Sequence, residues 1–144
     1  MQPDATDWEI IKLLSKSQMT NSAVAEKLDL NEATIRQRVK KLKKNGIIKI
    51  SAQTNPDTIE NHQLVLVMAN VDSPKLLKVK AEEISNLENV LSVSVVAGQY
   101  DLIFEVLVSS NKGLVKFITD ELSTIDGLSK TETFVTLKTF KKYI

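Results

Sequence analysis

Seven cations and no acid lie between residues 36 and 49: Arg36, Arg38, Lys40, Lys41, Lys43, Lys44 and Lys49. Over the whole chain the formal charge is only +1. The block is therefore a local excess, and it points to one anionic partner at one place. Asn31, Ala33, Thr34 and Gln37 stand at the start of the same stretch. A glutamine can pair with adenine N6 and N7, and a threonine can hydrogen-bond or touch a thymine methyl. Lysines such as Lys40, Lys41, Lys44 and Lys49 are flexible point charges suited to phosphate, while Arg38 suits base or phosphate. That is chemistry for reading double-stranded DNA through its major groove. The plainer alternative is a solvated helix face.

A second group that can do chemistry is Gly98, Gln99, Tyr100 and Asp101, set between the apolar runs "VLSVSVVA" and "LIFEVLV". Two strands joined by a turn account for the glycine. On that reading Gly98 relieves strain, Asp101 bonds its own turn and Tyr100 packs in a dimer. The other reading is a pocket, in which Gly98 lets a ligand approach the backbone closely and Asp101 supplies the one negative charge. Gln99 is then turn filler or a selectivity contact.

The totals bound what these groups can be part of. The chain has 144 residues, and 42% of them are apolar. That is enough for one medium domain or two small ones with a real core. There is no cysteine, so neither a disulfide framework nor a thiol nucleophile is available. The single histidine, His62, cannot build a histidine metal cluster and reads as a surface residue of a linker. No apolar run approaches the length of a membrane span, and "MQPDATDWEI" has no apolar signal region. A cytoplasmic location is expected. There is no phosphate-binding glycine loop and no pair of carboxylates in a clear cleft, so an enzyme is not expected, nor a metal or cofactor.

Elements must position the two groups. Asp4 to Leu14 reads as a helix with Trp8, Ile11 and Leu14 on its buried stripe and Ile10 alongside. Thr20 or Asn21 caps a second helix, "SAVAEKL", and Asn31 caps a third that runs to about Asn45, where Gly46 stops it. In the third helix Ile35, Val39 and Leu42 mark the buried stripe. The face opposite carries Ala33, Thr34, Gln37, Lys40, Lys41 and Lys44, with Arg36 and Arg38 at the flanks. Three short helices with a basic third make a helix-turn-helix. After the turn chemistry of "NPD" at 55–57 the texture changes to strand, helix, strand, strand, helix, strand, the last running through "LSKTETFVTLKTFKKYI".

The expected fold is α+β. A winged helix-turn-helix domain covers 1–50 and a linker covers 51–62. A ferredoxin-like βαββαβ domain with an antiparallel sheet, both helices on one face, covers 63–144. Val67, Val93, Val95, Ile103 and Phe134 are too apolar for all of them to lie under two helices, so a second subunit is expected to cover the other face.

Four blocks in order carry a resemblance. They are "DATDWEII", "LNEATIRQRVKKLKKNGIIKISAQTNP", "VAGQYDLIFEV" and "KTETFVTLKTFK". Together they resemble the Lrp/AsnC, or feast/famine, transcription regulators over nearly the whole chain. The sequence departs from that pattern in a short link between the first two helices, without the usual Gly-Arg, and in a cut-back segment after the last strand. The resemblance implies a homodimer that assembles to a tetramer or octamer and binds a partial palindrome. It also implies a small-molecule effector, an amino acid, held where dimers meet. Gly98, Gln99, Tyr100 and Asp101 would line that site with Thr131 and Thr133 of the last strand, Asp101 taking the ammonium. The alternative keeps the DNA and drops the choice of sequence: an architectural packing protein with steep salt dependence and a small specificity ratio.

Overall fold

The computed structural model describes residues 1–144. They form two compact units, Met1–Ala52 and Gln53–Ile144. The first holds α1 (Ala5–Lys16), α2 (Asn21–Leu28) and α3 (Glu32–Lys44). Each start has its own cap. Asp4 accepts from the Asp7 amide and Asp7 reciprocates, closing a capping box. Thr20 accepts from the Ala23 amide and Asn31 from the Ala33 amide. The link into α3 turns at Asp29, a left-handed residue at φ 51°. Helix α3 ends against Gly46, also left-handed at φ 67°, the conformation a helix stop of this kind requires. Residues 47–55 contain no strand, so the wing position holds an extended segment rather than a hairpin.

The core of this unit is Ile10, Val24, Ala25, Ile35 and Val39, ringed by Leu13, Leu14, Met19, Leu28 and Ile48. Leu42 is buried too. The stripe expected on α3 is the buried one. On α1 the phase differs. Ile10 is the fully buried residue, and Trp8 is 57% exposed and outside the core. Packing against Val24 and Ala25 of α2 and Ile35 and Val39 of α3 takes Ile10 inward and leaves Trp8 on the outer side.

The second unit is built on a sheet of β1 (His62–Val71), β2 (Val90–Val95), β3 (Leu102–Ser109) and β4 (Leu128–Val135), in the order β2-β3-β1-β4. All neighbours are antiparallel. Helix α4 (Leu77–Ser85) links β1 to β2, and α5 (Ser110–Lys116), continued by a wide turn and a tight one to Thr124, links β3 to β4. Alternation sorts the faces. Val65, Val67, Ala69, Leu102, Phe104, Val106 and Val108 point to the helices and form the core with Ile84, Phe117, Leu122 and Ile125. Each large apolar side chain among them contributes about 1.5–3 kcal/mol on burial.

The register places Val67, Val93 and Val95 on the helix side, although Val95 lies on the edge strand and stays half-exposed. Ile103 and Phe134 lie on the other face, with Leu64, Leu66, Met68 and Leu107. The last strand ends at Val135. Residues 136–144, expected to prolong it, instead turn back over that open face. The Lys142 ammonium pairs with Glu105, and Ile144 exchanges backbone hydrogen bonds of 2.8 and 3.0 Å with Thr54. The Thr139 amide donates to the Asp57 carboxylate at 3.1 Å. These bonds tie residues 53–58, expected as linker, into the second unit. The tail leaves Leu137 and Phe140 almost bare.

Candidate functional site

Helix α3 presents its chemistry because its apolar stripe is fixed. With Ile35 and Leu42 fully buried, Ala33, Thr34, Gln37, Lys40, Lys41 and Lys44 are all exposed. None of Lys40, Lys41, Lys43, Lys44 and Lys49 is in an ion pair, so each ammonium is free for an external anion. Thr34, Gln37 and Lys41 line one side of a cleft of about 370 Å³ whose other wall is Gln2, Asp4 and Asp7. Asn31 spends its side-chain oxygen on the helix cap. Arg36 is held by Glu32 at 2.6 Å on the exposed surface, a pair that a phosphate can displace.

Arg38 differs from the sequence expectation. Its guanidinium donates to Asp4 at 2.7 Å and to Asp7 at 2.8 Å, and the Asp7 side chain is only 3% exposed. A buried carboxylate needs a cation, and Arg38 lies on the flank of α3 that faces α1. It is a structural residue before it is a DNA contact. Hydrogen bonds from Arg38 and the Asp7 amide hold the Asp4 carboxyl below the usual aspartate range.

At the far end of the sheet the turn 96–101 joins β2 to β3. The Gly98 backbone is not left-handed, and a Cβ added there would meet nothing within 4 Å. Strain relief therefore does not explain the glycine. The Asp101 carboxylate accepts from the Val71 amide at 3.0 Å, while its own amide donates to the Ala69 carbonyl and the Asn70 side chain. The Asp101 side chain thus bonds the end of β1, its carbonyl closes the turn by accepting from the Val96 amide at 2.9 Å, and one carboxylate oxygen is left open. Gln99 is exposed and makes no side-chain hydrogen bond. Tyr100 reaches across β1 and donates its hydroxyl to Glu132 on β4. That bond, with some burial and the Glu132 charge, raises the phenol above its usual range. The Lys130 ammonium stands 5.4 Å from the centre of the Tyr100 ring, within reach of a cation–π attraction. Thr131 is exposed, and Thr133 pairs with Val67 on the helix-facing side, away from Glu132.

Two family models cover the chain. Residues 3–49 match the winged helix-turn-helix DNA-binding model, and residues 64–143 match the Lrp/AsnC ligand binding domain. The chain belongs to the Lrp/AsnC family. An HTH-type transcriptional regulator of Pyrococcus furiosus, itself uncharacterized, is 34% identical over 142 residues, 97% of this chain and 95% of that one. Among solved structures, the leucine response regulatory protein LrpA of Mycobacterium tuberculosis superposes with a TM-score of 0.82 at 22% identity. The match covers 97% of this chain and 96% of that one. A transcriptional regulator of Neisseria meningitidis, solved as a complex with L-Met, superposes with a TM-score of 0.74 at 21% identity. It covers 98% of this chain and 94% of that one.

This Lrp/AsnC chain is accordingly a transcriptional regulator, with a DNA-binding unit and a ligand-binding unit, and not an enzyme. No helix in it is long and apolar enough to cross a membrane. Sequence reasoning missed Asn70, Lys130 and Glu132 at the turn. Strand alternation would have put residue 132 on the same face as Phe134. The bulge in β4 that brings Lys130 to Tyr100 has no sequence signature.

Proposed function

We propose that this chain regulates transcription by binding a partly palindromic DNA sequence, and that an amino-acid effector held at residues 98–101 shifts its assembly or its DNA affinity. One observation carries the DNA part. Arg38 is consumed inside the unit and Arg36 is paired on its surface, while Thr34, Gln37, Lys40, Lys41 and Lys44 stand free on the face opposite a buried stripe. Short polar groups near the N-terminal end of such a helix suit base edges, and lysines further along suit phosphates. The effector part is supported by the open Asp101 oxygen and by a Gly98 that leaves room for a ligand. It is supported further by the family relatives, one solved with L-Met and one named for its leucine response.

Gel shifts on the DNA upstream of the protein's own gene, at two salt concentrations and with competitor, test this. A large specificity ratio is expected. Steep salt dependence with a small ratio would mark an architectural packing protein instead. Gln37→Ala is expected to flatten preference at one base per half-site, by about 1–3 kcal/mol. Lys41→Ala should weaken all sequences alike and reduce the salt slope by about one per helix engaged. Uniform losses in both variants would show that the reading face has been placed wrongly around α3.

The open sheet face, with Leu66, Met68, Ile103 and Phe134 and the bare Leu137 and Phe140, supports assembly as a homodimer that builds to a tetramer or octamer. Two α3 helices related by a two-fold would then sit about 34 Å apart, one DNA turn. Light scattering should give a dimer or larger at micromolar concentration, and a monomer there would count against both the assembly and the palindrome.

A further inference from the structure

We propose that the effector is an amino acid with a cationic side chain, and that Glu132 selects it. This rests on residues 98–101 being the effector site and names the ligand class that fits them. Two charged side chains, Lys130 and Glu132, meet at Tyr100, and Asp101 is the next residue along the chain. Asp101 stands at the head of β3, and Glu132 lies on β4 opposite Met68, on the face without helices. Lys130 lies over the ring of Tyr100, whose hydroxyl bridges to Glu132.

Lys130 is held at φ 44° where the register between β1 and β4 slips, between Met68 and Asn70. A lysine gains nothing from left-handed backbone, and a bulge beside a site serves to re-aim a side chain. Here it carries the ammonium onto Tyr100.

The charges then count out the ligand. Any amino acid brings one ammonium and one carboxylate. Asp101 takes the first and Lys130 the second. Glu132 has the neutral Tyr100 phenol as its hydrogen-bond partner and no ion pair. Covering that carboxylate with an apolar side chain would remove its water without supplying a counter-charge, and an acidic side chain would add repulsion. A cation at the far end of the ligand completes the set.

Length agrees with charge. Strands β3 and β4 flank β1, and Asp101 and Glu132 stand two strand spacings apart across the sheet and about two residues apart along it, roughly 12 Å between backbones. The two acid side chains close part of that distance. The four-carbon stem of lysine spans the remainder, and a short diamino acid would not.

Calorimetric titration of the full chain with L-lysine, L-norleucine and L-glutamate tests the proposal, because norleucine is lysine without its terminal ammonium. Wild type should bind lysine at least about tenfold more tightly than norleucine, with glutamate weakest. In Glu132→Gln, which keeps an acceptor for Tyr100, the lysine preference should vanish and norleucine should bind at least as tightly as to wild type. Equal affinities in wild type, or a lysine preference that survives in Glu132→Gln, would overturn it. If norleucine binds without any lysine preference and is lost in Asp101→Asn, the ligand class falls and the turn stands as the effector site. If none of the three binds, or if binding ignores Asp101→Asn, the turn falls with it.

Discussion

Arg38→Ala is expected to destabilise the helix-turn-helix unit by about 2–3 kcal/mol, because it strands a buried carboxylate without its cation. That carboxylate is Asp7, whose side chain is 3% exposed. The figure sits below that for a fully buried pair because the arginine side chain is 32% exposed and the Asp4 amide still donates to Asp7. In a small unit this is a fall of about 10 °C or more in Tm. Asp7→Ala should cost a similar amount, and the double variant less than the sum, since the two share one interaction. At a temperature where the variant remains folded, Arg38→Ala should lose less DNA affinity than Lys41→Ala. The opposite ranking, with no loss of stability, would return Arg38 to the DNA. Acid should act on the same contact. The folded-state pKa of Asp4 is lowered, so its pairing with Arg38 stabilises the fold above the ordinary aspartate range and is lost as pH falls through the lowered value. Melting curves on wild type should therefore drop below about pH 4, and those of Arg38→Ala should drop less.

Asp101→Asn is expected to abolish the effector response at ordinary metabolite levels while leaving the protein folded and binding DNA. Asparagine keeps an oxygen to accept the Val71 amide, so the tie between turn and β1 survives. Stability should change by no more than about 1 kcal/mol. What is removed is the charge. Losing one partner of a partly desolvated ion pair costs about 2 kcal/mol or more, roughly thirtyfold in Kd. Asp101→Ala should show both effects, a weakened fold through the unpaired Val71 amide and the lost ligand. An effector acts only through its different affinity for two states, so removing its anchor removes the coupling and spares the unliganded state. Titration of the best-binding amino acid, run beside a melting curve, separates the roles. Wild-type affinity in Asp101→Asn would reduce the carboxylate to a purely structural bond.

Local chemistry was legible in the sequence. The caps at Asn31 and Thr20, the stop at Gly46 and the stripe of Ile35, Val39 and Leu42 each depend on residues within a turn or two of one another, so sequence spacing states them directly. The succession of strands and helices followed from periodicity, and the exposed face of α3 followed from its stripe. The phase of α1 was less clear, because Trp8 and Ile10 are both apolar and only packing on α2 and α3 decides which turns inward.

Partners distant along the chain were decided by the fold alone. Arg38 looked like its neighbours in a basic block, and only the packing of α3 on α1 brings it to Asp4 and Asp7, 34 and 31 residues away. Asp101 looked like a turn residue, and only the pairing of β1 with β3 gives it the Val71 amide. Tyr100 meets Glu132 because β1 lies between β3 and β4, and Lys130 joins them because one register slip turns it there. The sequence by itself determined which residue types could carry charge to DNA and to a ligand, since composition and periodicity are local properties. The tertiary structure determined which of those charges are already neutralised inside the protein and which remain for a partner, because a charge's partner depends on distance in space and not on distance along the chain.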